Sequence, residues 1–299
     1  MKYLYKYPQQ AYPYDTLVEK NKKRSRDDLE FELMDTGVFD EDRYFDVFVE
    51  YAKQTPEDIL IRITVHNRGP EAATLHVLPT LWFRNTWSWD EDPRKPELSE
   101  TKEGIRASHR DLGECVLLCE GVPEKLFTEN ETNLMRIWQK PNPSPFVKDA
   151  FHNYLIGGQS DAINRAGTGT KAGAHYLLNV PAGASQSLRL RLVAGPIGDA
   201  FGPGFDRTFT LRISEADEFY DCIAPKELNE DQRRVHRQAL AGMLWTKQYY
   251  YFDLDRWLEE HGVHPMMSAS NGAVRNVDWF HMAPGETMWR GGTLQSCIK

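Results

Sequence analysis

The chain has 299 residues, 40% of them hydrophobic and 12% aromatic, which is ample for a large core, and carries a formal net charge of -8. Its charges are interspersed, so it lacks the basic face that a phosphate backbone needs, and nucleic acid is not an expected partner. No apolar run approaches the roughly 18 residues that would span a membrane, so no membrane partner is expected either.

Residues 1–30 are rich in tyrosine and charge, and Pro8 and Pro13 forbid a long helix there. An extended segment packing its tyrosines, followed by a loop, is the expectation. The basic run at residues 20–26 is flanked by Asp27, Asp28 and Glu30 and reads as solvated. From Arg43 the period becomes 2. Phe45, Val47, Val49 and Tyr51 alternate with Asp46, Phe48 and Glu50, and after a turn at residues 56–58 Ile59, Ile61, Ile63 and Val65 alternate with Leu60, Arg62, Thr64 and His66. Residues 67–70 form a second turn and residues 74–82 a third strand, which predicts antiparallel strands joined as hairpins. Residues 87–103 read as an acidic loop. Further strands are expected near residues 105–108, 115–120, 175–180 and 187–193, with residues 141–173 as a long loop between them. Many short strands at this spacing predict a β-sandwich.

After Gly202, Pro203 and Gly204 the period shifts toward 3.6. Residues 207–223 read as a short strand and then a helix ending before Pro225. Asn229 with Gln232 three residues on is an N-terminal capping pair, and Val235, Ala239 and Met243 give the next helix a buried stripe. Residues 253–260 are expected to continue helically. Cys115 and Cys119 lie in an apolar run and read as buried strand thiols. They have no C-x-x-C spacing and no His pair to complete a zinc site. With no signal peptide at the N-terminus, the reading is a cytoplasmic chain with reduced thiols, Cys222 and Cys297 included.

Three stretches carry a family resemblance: LPTLWFRNTWSW at residues 78–89, LWTKQYYYFDLDRWL at residues 244–258 and RNVDWFH at residues 275–281. With FDEDRYFDVFVEYAK and GTKAGAHY in order upstream and between, the chain resembles bacterial members of glycoside hydrolase family 63, the processing α-glucosidase family. The resemblance implies a mainly β fold, an antiparallel β-supersandwich followed by the first helices of an (α/α)6 toroid. It implies three segments: a supersandwich over residues 1–205, N-terminally incomplete relative to the family; a helical linker and start of the toroid over 206–282; and an unmatched tail over 283–299. The family is a glycosidase needing no cofactor, acting on an oligosaccharide or glucoside.

Glycoside hydrolysis usually needs two carboxyl groups across the scissile bond. The resemblance places both on toroid loops beyond the matched residues, so no catalytic residue is assigned. Asp253, Asp255 and Asp278 sit among aromatics, but they read as helix-terminal or ion-paired carboxylates. The resemblance places Arg275, Asn276, Trp279 and His281 at the rim of the sugar pocket, the ring stacking on a sugar face and the polar groups meeting hydroxyls. The competing reading is that they seat toroid helices on the β-domain. Trp87 and Trp89, in a loop that family β-domains send toward the toroid, are the second substrate-binding candidates, against a plain aromatic cluster at a strand end. The acidic run at residues 35–42 lacks the spacing of a calcium loop and reads as a turn, so no metal is assigned. His152, Asn153 and Tyr154 read as a buried polar group, and residues 167–173 lack the order of a phosphate loop.

The expected function is therefore the non-catalytic N-terminal portion of an α-glucosidase-like glycoside hydrolase. The alternatives are a carbohydrate- or partner-binding β-sandwich module, and a truncated reading frame without independent function. Self-association through helices left uncovered after Asn229 is expected for the chain by itself.

Overall fold

The structure is a computed structural model and describes residues 1–87, 94–245, 252–253 and 281–282. The described chain forms two compact units. The first comprises Met1–Ser214, and the second begins at Glu215.

The first unit is a sandwich of two antiparallel sheets. Its strands are β1 (Lys2–Pro8), β2 (Tyr44–Thr55), β3 (Asp58–Asn67), β4 (Ala73–Val77), β5 (Thr80–Trp82), β6 (Glu97–Glu100), β7 (Gly104–His109), β8 (Gly113–Cys119), β9 (Glu124–Thr128), β10 (Thr168–Gly169), β11 (Lys171–Val180) and β12 (Ser185–Val193). Sheet 1 has the order β1-β2-β3-β12-β8-β7-β6-β10. In sheet 2, β11 is central, with β4 and β5 on one side and β9 on the other. The alternation read from the sequence holds in β2, β3 and β12. Phe45, Ile61, Ile63, Val65, Leu190 and Leu192 turn inward and meet Leu75, Val77, Leu81, Phe127, Leu178 and Val180 from sheet 2.

Several expectations need correction. Residues 74–82 do not hairpin back onto β3. They cross to sheet 2 and pair with β11, interrupted at Leu78 and Pro79 while the register of β4 and β5 against β11 is kept. Proline cannot donate to the ladder, which is why one predicted strand is two. The segment after the N-terminal tyrosines is not all loop, because helix α1 (Tyr14–Lys22) starts directly after Pro13. The acidic loop at residues 87–103 contains β6. The long loop at residues 141–173 contains α3 (Ala150–Leu155), all of β10 and the start of β11, and another short helix, α2 (Leu134–Trp138), precedes it. At the hand-over from β10 to β11, a Cβ on Gly169 would lie 2.3 Å from the carbonyl oxygen of Thr128, so a glycine is required there. The GTGTKAG run serves this close crossing.

Residues 207–223 hold no strand. Helix α4 (Pro203–Ile223) is continuous, and Pro203 stands at its first position. Its first half covers part of the outer face of sheet 1. Phe205 and Phe209, one turn apart, are buried against Ala52 and Leu60, and the Arg62 guanidinium lies 4.4 Å from the Phe209 ring centre. Residue 205, the expected end of the sandwich, thus lies inside α4.

In the second unit, α5 (Glu230–Trp245) begins as the sequence predicts. The Gln232 amide donates to Asn229 Oδ1 at 2.9 Å, and the Asn229 amide donates to Gln232 Oε1 at 3.0 Å. Arg237 pairs with Asp217 at 2.6 Å. Phe252–Asp253 is not helical. It forms a short strand, β13, paired antiparallel with β14 (His281–Met282). Residues 254–260, expected to be helical, lie outside the described residues.

Candidate functional site

Three polar arrangements on the sandwich bear on function. The first is on the outer face of sheet 1, where register sets side chains in rows across β1, β2, β3 and β12. Lys2, Glu50 and Arg62 form one row. Leu4, Phe48, Thr64 and Ser187 form the next, and Lys6, Asp46 and His66 a third. Neighbouring strands lie roughly 4.8 Å apart, so members of a row touch. Arg62 Nε donates to Glu50 at 2.9 Å, Thr64 and Ser187 share a hydroxyl bond at 2.9 Å, and His66 meets the Phe48 ring edge-on at 5.5 Å. Lys2 Nζ stands 4.6 Å over that ring. These side chains line a surface groove of about 280 Å³. Its hydrogen-bonding groups and one ring suit a neutral, hydroxyl-rich ligand.

At the end of this face Asp46 is buried between two cations. Lys6 Nζ and Arg68 Nε donate to its two oxygens at 2.7 Å each. Burial pushes the carboxyl pKa up, but the two hydrogen-bonded cations outweigh it and hold the group below its ordinary value.

The second arrangement surrounds Trp87. This ring is part of the sandwich core, and its indole N–H reaches Glu131 Oε1 at 3.4 Å. Lys95 Nζ donates to the same oxygen at 2.5 Å and stands 4.0 Å from Glu129, which accepts from Thr170 at 2.7 Å. Trp87 is thereby held in the core of the sandwich. Of the other sequence-predicted site residues, His281 lies on β14, paired with Asp253. Trp89, Arg275, Asn276 and Trp279 lie outside the described residues, as do Asp255 and Asp278.

The third arrangement is on the outer face of sheet 2. His76 Nδ1 and His175 Nε2 are 2.8 Å apart with nearly parallel rings, and His175 Nδ1 is 3.4 Å from Glu124 Oε2. Tyr154 of α3 donates to the other Glu124 oxygen. If His175 Nδ1–H faces the carboxylate, its Nε2 must accept from His76, so the chain of bonds fixes one tautomer for each neutral ring. His152 and Asn153 are exposed on α3 rather than buried.

Sequence reading missed the groove because it treated Phe48, Glu50, Arg62, Thr64 and His66 only as the wet sides of two strands. Their alternation was visible, but the register that sets them in rows was not. Lys95 and Glu131 gave no signal, being 36 residues apart in separate loops.

No family model matches the chain. It is similar to an uncharacterized protein of Saccharomyces cerevisiae, YMR196W, with 36% identity over 330 aligned residues, covering 94% of this chain and 30% of that protein. The chain thus spans less than a third of the length of the curated relative it matches.

Proposed function

We propose that the chain is the non-catalytic β-domain portion of an α-glucosidase-like glycoside hydrolase resembling family 63. The observation that carries this reading is the order of parts, an antiparallel β-sandwich that passes directly into helices, with the family-like motifs in sequence order along it. In this reading α4 and α5 are the first helices of an α/α toroid. Exposed Leu211, Ile213, Phe219 and Ile223 on α4, and Val235, Met243 and Leu244 on α5, support it as faces that further helices would cover. The same residues support self-association of the chain when it stands alone. Among the described residues no helix is long and apolar enough to cross a membrane. Cys119 and Cys222 are free thiols, which supports a cytoplasmic setting. In this reading the substrate is an oligosaccharide or glucoside, with Arg275, Asn276, Trp279 and His281 at the sugar rim.

A second reading, a carbohydrate-binding sandwich module, is favoured by the Phe48–Arg62 groove. Saturation-transfer NMR with α-linked glucose disaccharides separates the two. The first reading expects transfer that falls in Trp279→Ala and persists in Phe48→Ala, and the second expects the reverse. Absence of transfer from any α-glucoside contradicts both.

A further inference from the structure

The two sheets of the sandwich are unequal, with eight strands facing three ladder positions. The overhang falls at β1 and β2. Tyr3, Tyr5 and Tyr7 pair with Val49, Val47 and Phe45, so all six turn to the inner face of sheet 1. The tyrosines remain 46%, 58% and 43% exposed there. Beside them an apolar cavity of about 210 Å³ opens between the sheets, lined by Val47, Val49 and Tyr51 below and by Val77, Leu78 and Leu81 above. None of the seven inward positions Tyr3, Tyr5, Tyr7, Phe45, Val47, Val49 and Tyr51 is charged. Of the charged residues of these strands, Lys2, Lys6, Asp46 and Glu50 turn outward, and Lys53, opposite Ile59 near the end of β2, shares the inward parity beyond Tyr51.

The roof of this slot ends in an open backbone edge. The Ala174 amide donates to the Pro79 carbonyl and the Phe83 amide to the Thr170 carbonyl, each at 3.0 Å. In an antiparallel ladder the N–H and C=O of one residue point the same way, so the odd-numbered residues of β4 and β5 face β11. The N–H and C=O of Thr74, His76 and Thr80 therefore point to the other edge. The missing N–H of Pro79 falls on the β11 side and does not interrupt that edge. Among the described residues no strand pairs with it.

We propose that this slot receives an extended strand from another polypeptide, added to the β4–β5 edge and uncharged at alternate positions. The edge calls for backbone donors and acceptors at the two-residue repeat of about 6.8 Å, which only an extended peptide supplies. The tyrosine stripe below has the same two-residue repeat. A helix, about 10 Å across, would leave the edge groups unpaired in an apolar setting. The strand's inward side chains fill the cavity and cover Tyr5 and Tyr7. This inference does not rest on the carbohydrate reading.

Fluorescence anisotropy of the full chain with a labelled ten-residue peptide, alternating Thr and Val between terminal lysines, tests it. Saturable binding is expected, weakened about 10-fold when every second peptide amide is N-methylated, the loss of one or two net hydrogen bonds. Thr74→Pro, which removes an outward N–H and no ladder bond, weakens binding similarly while the melting curve is kept. Tyr5→Glu, which charges the slot floor without touching the edge, does the same. Equal binding of the methylated peptide, indifference to both substitutions, or no binding at all overturns the proposal. So does a dimer in sedimentation that Tyr5→Glu converts to monomer, since the occupant is then a second copy.

Discussion

At the scale of single residues, the sandwich depends on charges held inside it. Arg191 and Asp58 are nearly buried on the outer face of sheet 1 and meet in a two-pronged pair at 2.8 and 2.6 Å. The third guanidinium nitrogen donates to the Ala200 carbonyl at 3.0 Å, which ties the segment before α4 to the sheet. Removing one partner strands the other charge in a poorly solvated site. Asp58→Ala is expected to destabilise the fold by about 3–5 kcal/mol, read from urea midpoints, more than Asp58→Asn. Asp46 sets an acid limit. Its folded-state pKa is lowered, so its contribution is fully present above the unfolded value of about 3.9 and is lost as pH falls through the folded one. The urea midpoint should therefore fall below about pH 4 in the wild type, and less steeply in Asp46→Asn. Neither pair was legible in the sequence, because each joins residues brought together only by the register of distant strands.

At the scale of elements, the structure keeps part of what the sequence states locally. The alternation in β2, β3 and β12 and the Asn229 cap of α5 are short-range signals, complete within a few residues. Among what the structure changes are the long-range choices. The partner of β4 is β11, 99 residues away at the His76–His175 contact, and no periodicity in either strand specifies that pairing. Residues 207–223 read as a short strand and then a helix, yet Thr208 and Phe209 join Phe205 as the buried face of one continuous helix. Phe209→Ala should cost about 3–5 kcal/mol by emptying the contact with Ala52 and Leu60. Phe209→Leu should cost less, and a thermal melt of the two variants checks the order.

At the scale of the whole molecule, sequence and structure contribute different parts. The mainly antiparallel fold is legible in both. The candidate sugar-rim residues come from motif resemblance, whereas the groove across Phe48 and Arg62 and the slot beneath β4 and β5 come only from three-dimensional register. We propose that this chain serves carbohydrate chemistry as a binding and supporting part and performs no hydrolysis by itself. Hydrolysis needs a proton donor and a second carboxylate across the same bond, and the family resemblance assigns neither role to a residue of this chain. The direct test is release of 4-nitrophenol from 4-nitrophenyl α-glucoside by the purified chain. A rate indistinguishable from buffer is expected at every protein concentration. A rate proportional to protein concentration that disappears in Asp278→Asn would contradict it.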